Sequence, residues 1–150
     1  MKKINKKYGT LFWITGISGS GKTSIAKKIH KDIRKKFGPT IMLSGDDLRK
    51  IFSLKGYSYN ERSEIVLKYC KFAKFITDQK INVILAVIGM MDHVREWNRK
   101  NIKNYLEIYV KADLNKIIKK RKKKIYLKSI KNIVGLDIKP ELPRKADISI

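Results

Sequence analysis

The sequence predicts an α/β fold of three layers, a central parallel sheet with helices on both faces. Two observations carry that prediction. Short apolar runs alternate with segments of helical periodicity along the chain, an order that calls for parallel strands joined by crossover helices. The first apolar run is followed at once by Gly16-Ile17-Ser18-Gly19-Ser20-Gly21-Lys22-Thr23, which has the G-x-x-x-x-G-K-[ST] spacing of a phosphate-binding loop, and then by a helix.

Each element has a local reason. Leu11–Thr15 is short and apolar, as a strand buried on both faces must be. Lys22 to Lys36 reads as a helix that stops at Gly38-Pro39. Strand two is expected at Thr40–Leu43, followed by the polar turn Ser44-Gly45-Asp46-Asp47 and a short helix over Leu48–Phe52. Gly56-Tyr57-Ser58-Tyr59 reads as a loop, with Ser58 or Asn60 capping a long helix that reaches about Gln79. Ile65, Tyr69, Phe72, Ala73 and Ile76 recur there at helical spacing and are expected in the core. Val83–Ile88 is continuously apolar, as a central parallel strand is. A helix over Met91–Lys103 carries Arg95, Trp97 and Arg99, and strand four is Leu106–Val110. Asp113 is expected to cap a basic helix to about Lys123. The tail from Ile125 is irregular, with a short strand or helix near Ala146–Ile150. This is the layout of the P-loop NTPase fold in a small kinase, and residues 1–150 read as a single P-loop kinase domain.

Composition narrows the class. The chain has 150 residues, 43% of them hydrophobic, and no apolar run near the ~20 residues that span a bilayer. The basic N-terminus lacks the apolar region and small-residue cleavage site of a signal peptide, so no membrane association and a cytoplasmic location are expected. Cys70, the one cysteine, lies on an apolar helical face and reads as a buried thiol. The net charge of +23 raises a reading of another class, a basic nucleic-acid-binding P-loop protein. The lysines are dispersed through every segment, however, and the one dense cluster is Lys119–Lys124. No aromatic-basic repeat or recognition-helix signature accompanies the charge, so no nucleic-acid partner is expected.

The phosphate-binding loop specifies its own chemistry. Gly16, Gly19 and Gly21 let backbone N–H groups approach a polyphosphate, and Ser18, Ser20 and Ser24 lie in or beside the turn. Lys22 is placed to reach the β- and γ-phosphates of ATP, and Thr23 to ligate Mg²⁺. Catalytic groups of open α/β sheets lie at the carboxyl ends of the strands. Strand two ends there in Asp46, a carboxylate able to accept a hydroxyl proton or to hold Mg²⁺ through water. The competing reading makes Asp46 or Asp47 a helix cap, and it suits Asp47 better. Arg49, one helical turn on, is placed to clamp an anionic acceptor.

Several ordered motifs then resemble one family. Leu43–Arg49 reads LSGDDLR, Gly56–Ile65 reads GYSYNERSEI, Arg95 and Arg99 form R-x-x-x-R, and Lys131–Asp137 reads KNIVGLD. With the phosphate-binding loop, these are similar to the motifs of adenylylsulfate kinases, which phosphorylate the 3′-hydroxyl of adenosine 5′-phosphosulfate. The resemblance spans nearly the whole chain and implies a catalytic base at Asp46, with Lys22 on the ATP phosphates. It implies an acceptor site drawn from Arg49, Tyr57, Arg62, Ile65, Ile88, Gly89, Lys131 and Ile133, and an ATP-side contact at Arg121. ATP, Mg²⁺, a small-molecule nucleotide acceptor and a homodimer are the partners the family implies.

The departures from the family pattern cluster on the acceptor side. The first Asp of its D-G-D motif is Ser44, the Asn of D-R-x-E-N is Ile65, I-S-P is Ile88-Gly89-Met90, and a stacking Phe is Ile133. The segment Arg121–Ser129 is shorter than its counterpart. A branch of the family acts in capsular polysaccharide pathways on cytidine diphosphoramidate, again at the ribose 3′-hydroxyl. Ile65 and Ile133 together tilt the expectation towards that acceptor, with adenosine 5′-phosphosulfate as the alternative.

Overall fold

The computed structural model describes residues 4–120 and 131–150. Five strands, β1 (Thr10–Thr15), β2 (Thr40–Ser44), β3 (Asn82–Val87), β4 (Asn104–Tyr109) and β5 (Ile148–Ser149), form one sheet in the order β2-β3-β1-β4-β5. Every pairing is parallel. The helices are α1 (Lys22–Phe37), α2 (Gly45–Ile51), α3 (Tyr59–Asp78), α4 (Asp92–Asn101) and α5 (Leu114–Lys120).

Alternation along the strands makes the layers. Phe12 and Ile14 of β1, with Ile84 and Ala86 of β3, face α1, where Ala26 and Ile33 bury against them. Leu11, Trp13, Val83, Leu85 and Val87 point the other way, into a core completed by Val66, Tyr69, Cys70 and Ala73 of α3 and Val94 of α4. Both faces of the central strands are therefore dry, which is why their sequences run apolar without a break. Cys70 is fully buried, and burial pushes its thiol up to about 12, consistent with a packing role.

Most elements stand where the sequence puts them, within a residue or two. The exception is α2, which begins at Gly45 instead of Leu48. Ser44 is the reason: its hydroxyl accepts the Asp47 N–H at 3.1 Å and donates to the Asp47 carboxylate at 2.6 Å, closing the first turn. Asp47 is thus a capping residue, and Asp46 sits in a helical first turn, not in a loop. At α3 the cap is Ser58, in a capping box with Glu61. Asp113 accepts the N–H groups of Asn115 and Lys116 at the start of α5. The tail ends as a strand, β5, held by the Asp147 carboxylate, which accepts from the Glu107 N–H and from Arg99.

A third, smaller cluster positions the functional edge. Ile17 of the glycine-rich loop, Met90 after β3, Ile117 of α5 and Val134 meet in one buried group, tying four loops or loop-proximal elements to each other.

Candidate active site

The carboxyl edge of the sheet gathers three loop starts. The glycine-rich loop leaves β1, α2 leaves β2, and Ile88-Gly89-Met90 leaves β3. Gly19 and Gly21 have φ of 83° and 96°, left-handed values at which a side chain would be strained. A Cβ on Gly16 would lie 2.6 Å from the Val110 carbonyl oxygen, so close approach of backbone fixes that glycine as well. Gly21 caps α1 without a side-chain hydrogen bond, which leaves the helix N-terminus open to an anion.

A cavity of about 290 Å³ lies over this loop. Ser18, Gly19, Gly21, Lys22, Thr23 and Ser24 line one side, with Asp46 among the residues opposite. Lys22 is 8% exposed and its ammonium donates to the Ile17 carbonyl at 2.7 Å, which holds the cation inside the loop's curve. Gly16 and Ser20 support the loop without lining the cavity. Arg121 lies outside the described residues.

A second cavity, of about 200 Å³, opens beside the first. Arg49, Tyr57 and Arg62 line it, with Val66 and Tyr69 of α3 and with Ile133 and Val134. The two cavities share Ser18, Gly45, Asp46, Val87 and Ile88. Asp46 is exposed at this junction and makes no hydrogen bond or ion pair among the described residues. A carboxylate there reaches a group delivered from either side.

The charged side chains lining the second cavity are Asp46, at the junction, and the two arginines Arg49 and Arg62. Arg62 donates to the Tyr57 carbonyl at 2.7 Å and to the Asn132 carbonyl at 2.9 Å, and Arg49 donates to the Leu54 carbonyl at 3.3 Å. Both guanidinium groups stack on the Tyr57 ring, at 4.5 Å for Arg49 and 5.2 Å for Arg62. Neither forms a salt bridge with a carboxylate among the described residues. Burial, and then the neighbouring charge of Arg49, hold the Arg62 guanidinium below its usual value. Two cations held together and turned to a cavity without a carboxylate partner make a site for an anion.

Three expected acceptor residues are placed differently. Ile65, in α3, is 5% exposed in the core and lines neither cavity, whereas Val66 and Tyr69, members of the same core cluster, also reach the second cavity. Gly89 is buried behind the wall, where an added Cβ would come 2.2 Å from Cζ2 of Trp13. Lys131 is exposed and lines neither cavity. Tyr69 was readable only as a core position, yet its hydroxyl donates to the Gly45 carbonyl at 3.3 Å and it lines the second cavity. Val66 carries no chemical signal in the sequence, and Asn132 and Val134 fall within the Lys131–Asp137 motif without being singled out by it; the fold brings all three to the site.

The contact of Gly89 with Trp13 makes a direct prediction. Gly89→Ala is expected to destabilise the protein by about 3 kcal/mol through overpacking against a fully buried indole. Trp13→Leu in the same chain is expected to recover part of that loss, which thermal melts of the two single variants and the double variant would measure.

The family model described as adenylylsulphate kinase matches residues 8–150. The chain belongs to that family. It is 39% identical to a cytidine diphosphoramidate kinase of Campylobacter jejuni over 93% of this chain and 84% of that one. It is 32% identical to an adenylyl-sulfate kinase of Clostridium acetobutylicum, covering 99% and 78% of the two chains. Its fold superimposes on the Mycobacterium tuberculosis APS kinase solved with AMPPNP and APS with a TM-score of 0.84, at 25% identity over 95% and 88% of the chains. The protein is an APS-kinase-like, ATP-dependent kinase of the P-loop NTPase fold.

Proposed function

We propose that this kinase transfers the ATP γ-phosphate to the ribose 3′-hydroxyl of a nucleotide acceptor, and that the acceptor is cytidine diphosphoramidate. The observation that carries the reaction is Asp46 at the junction of the two cavities. ATP phosphates occupy the loop cavity, cradled by its backbone N–H groups and by Lys22. The acceptor occupies the second cavity, with its anionic end on Arg49 and Arg62 and its base against Tyr57. Asp46 takes the 3′-hydroxyl proton as that oxygen bonds to the γ-phosphorus; the bond to the β–γ bridging oxygen breaks and ADP leaves.

The residues present fit Mg²⁺. Thr23 offers a hydroxyl at the loop cavity, and the described residues contain no group of three or more acidic, His or Cys side chains able to hold a metal alone. That sparse set suits a cation carried mainly by substrate phosphates and water. Bound there, Mg²⁺ would neutralise phosphate charge.

Two things support cytidine over adenosine. The higher identity, 39% against 32%, is to the cytidine diphosphoramidate kinase. Ile133 lines the acceptor cavity where the family pattern has a stacking Phe, leaving Tyr57 to serve a base from one side. Ile65, being in the core, bears only indirectly on the choice. The test is turnover with ATP and Mg²⁺, run side by side on cytidine diphosphoramidate and adenosine 5′-phosphosulfate. A kcat/KM at least tenfold higher for the cytidine compound is expected, and a preference for the sulfate compound would reverse the assignment.

A further inference from the structure

Glu141 sits outside both cavities, yet it is the point at which their surroundings are joined. One carboxylate oxygen accepts the Tyr59 hydroxyl at 2.8 Å, at the start of α3. The other accepts the Asp92 N–H, at the start of α4. Met91, the N-cap of α4, provides no side-chain hydrogen bond, so a carboxylate from 49 residues downstream supplies the missing acceptor. The Glu141 backbone is held as well: its N–H donates to the Met90 carbonyl at 3.0 Å, and its carbonyl accepts from Arg95 at 2.7 Å. Arg95 is 4% exposed and also donates to the Gly89 carbonyl at 3.2 Å, in the turn whose neighbour Ile88 lines both cavities.

The chain before Glu141 contributes to the lining of the acceptor cavity. Ile133 and Val134 line it, and the Asn132 carbonyl accepts from Arg62. This turn is closed on itself by Gly135 N–H to the Ile138 carbonyl, 2.8 Å, and by Ile133 N–H to the Asp137 carboxylate, 2.9 Å. Two residues separate this turn from Glu141. Tyr57 and Arg62, which also line the cavity, bracket Tyr59 at the start of α3.

We infer that Glu141 is a positioning residue for the acceptor: its carboxylate ties the start of α3 to the start of α4, two residues along the chain from the 131–138 turn, and so sets how that turn and the start of α3 are placed about the acceptor cavity. The inference rests on the assignment of that cavity to the acceptor nucleotide. The two carboxylate bonds reach only the starts of α3 and α4, and the link to the glycine-rich loop runs through the Glu141 backbone, by way of Met90 and Ile17, which a side-chain substitution leaves in place, so the effect is expected on the acceptor and not on ATP.

The test compares the wild type with Glu141→Ala, Glu141→Gln and Tyr59→Phe, reading both KM values, kcat and hydrogen exchange of the 131–138 turn and the first turn of α4. Glu141→Ala is expected to raise the acceptor KM about tenfold and to leave the ATP KM within about twofold. Glu141→Gln and Tyr59→Phe, which each spare one of the two carboxylate bonds, are expected to raise the acceptor KM about threefold. Exchange of both turns is expected to quicken in the same order. Equal rises in both KM values would reduce Glu141 to general stability, and an unchanged acceptor KM would overturn the inference. A wild type that phosphorylates neither nucleotide would instead defeat the acceptor assignment itself. In that event unchanged exchange in Glu141→Ala would separately overturn the coupling.

Discussion

Asp46→Asn is expected to lower kcat by a factor of about 10²–10⁴ while leaving ATP binding and thermal stability near the wild-type values. The size follows from the role: an amide cannot take the proton of a 3′-hydroxyl as it attacks, so the reaction must proceed from a poorer nucleophile. The selectivity follows from the surroundings. Asp46 is exposed and makes no hydrogen bond or ion pair among the described residues, and the cap of α2 is made by Ser44 with Asp47. Asn is close to isosteric, and its loss of charge in the first turn of α2 is worth about 0.3–1 kcal/mol at most. Steady-state turnover, ATP titration and a melt together read the prediction. A variant that keeps more than a tenth of wild-type kcat would remove Asp46 as the base. Asp47→Asn is the useful control, since Asp47 acts on the helix and not on the cavity: a stability loss with kcat largely retained is expected there.

How far the sequence was legible depends on the range over which each cause acts. The glycine-rich loop was legible because strand, glycines and helix N-terminus are contiguous, and the chemistry lies in backbone geometry that a short motif dictates. The sheet was legible from its apolar runs, because both faces of β1 and β3 are buried. The sequence places the start of α2 too late because Gly45-Asp46-Asp47 has the composition of a turn. The Ser44 cap, which makes it helical, differs from a turn only in where one hydroxyl points. On the acceptor side the spacing fixed which residues are close in the chain but not the rotation of α3. A helix advances 100° per residue, so of two adjacent core residues Val66 also lines the cavity and Ile65 does not. Gly89 shows another limit. A departure from the family pattern looked like a change of substrate contact, whereas the neighbour that demands it is Trp13, distant in sequence and buried against it. The part played by Glu141 was invisible for the same reason, its partners Tyr59 and Asp92 lying 82 and 49 residues away.

Arg62→Gln is expected to raise the acceptor KM by about 10²-fold, with the ATP KM close to wild type. Arg62 is one of two guanidinium groups on the acceptor wall, and a charge-assisted contact to a phosphate-type oxygen, lost from a partly desolvated site, is worth about 1.5–3 kcal/mol. The free protein gains little from having that charge there. Arg62 lies close enough to Arg49 for the two cations to disfavour each other, and no carboxylate pairs with either among the described residues. Removing the charge should therefore weaken binding far more than it weakens folding, which distinguishes a binding cation from a structural one. What Arg62 does for the fold, its bonds to the carbonyls of Tyr57 and Asn132, is made by N–H groups, and glutamine keeps a donor that can reach one of them. Inorganic sulfate or phosphate gives an independent measure: it should inhibit competitively against the acceptor in the wild type and lose most of that competition in Arg62→Gln. A variant with unchanged acceptor KM and undiminished anion inhibition would show that the anionic end of the acceptor lies elsewhere. Arg49→Gln, which leaves Arg62 in place, is expected to show the same pattern, and the double variant less than the product of the two, because each arginine is relieved of repulsion when the other is gone.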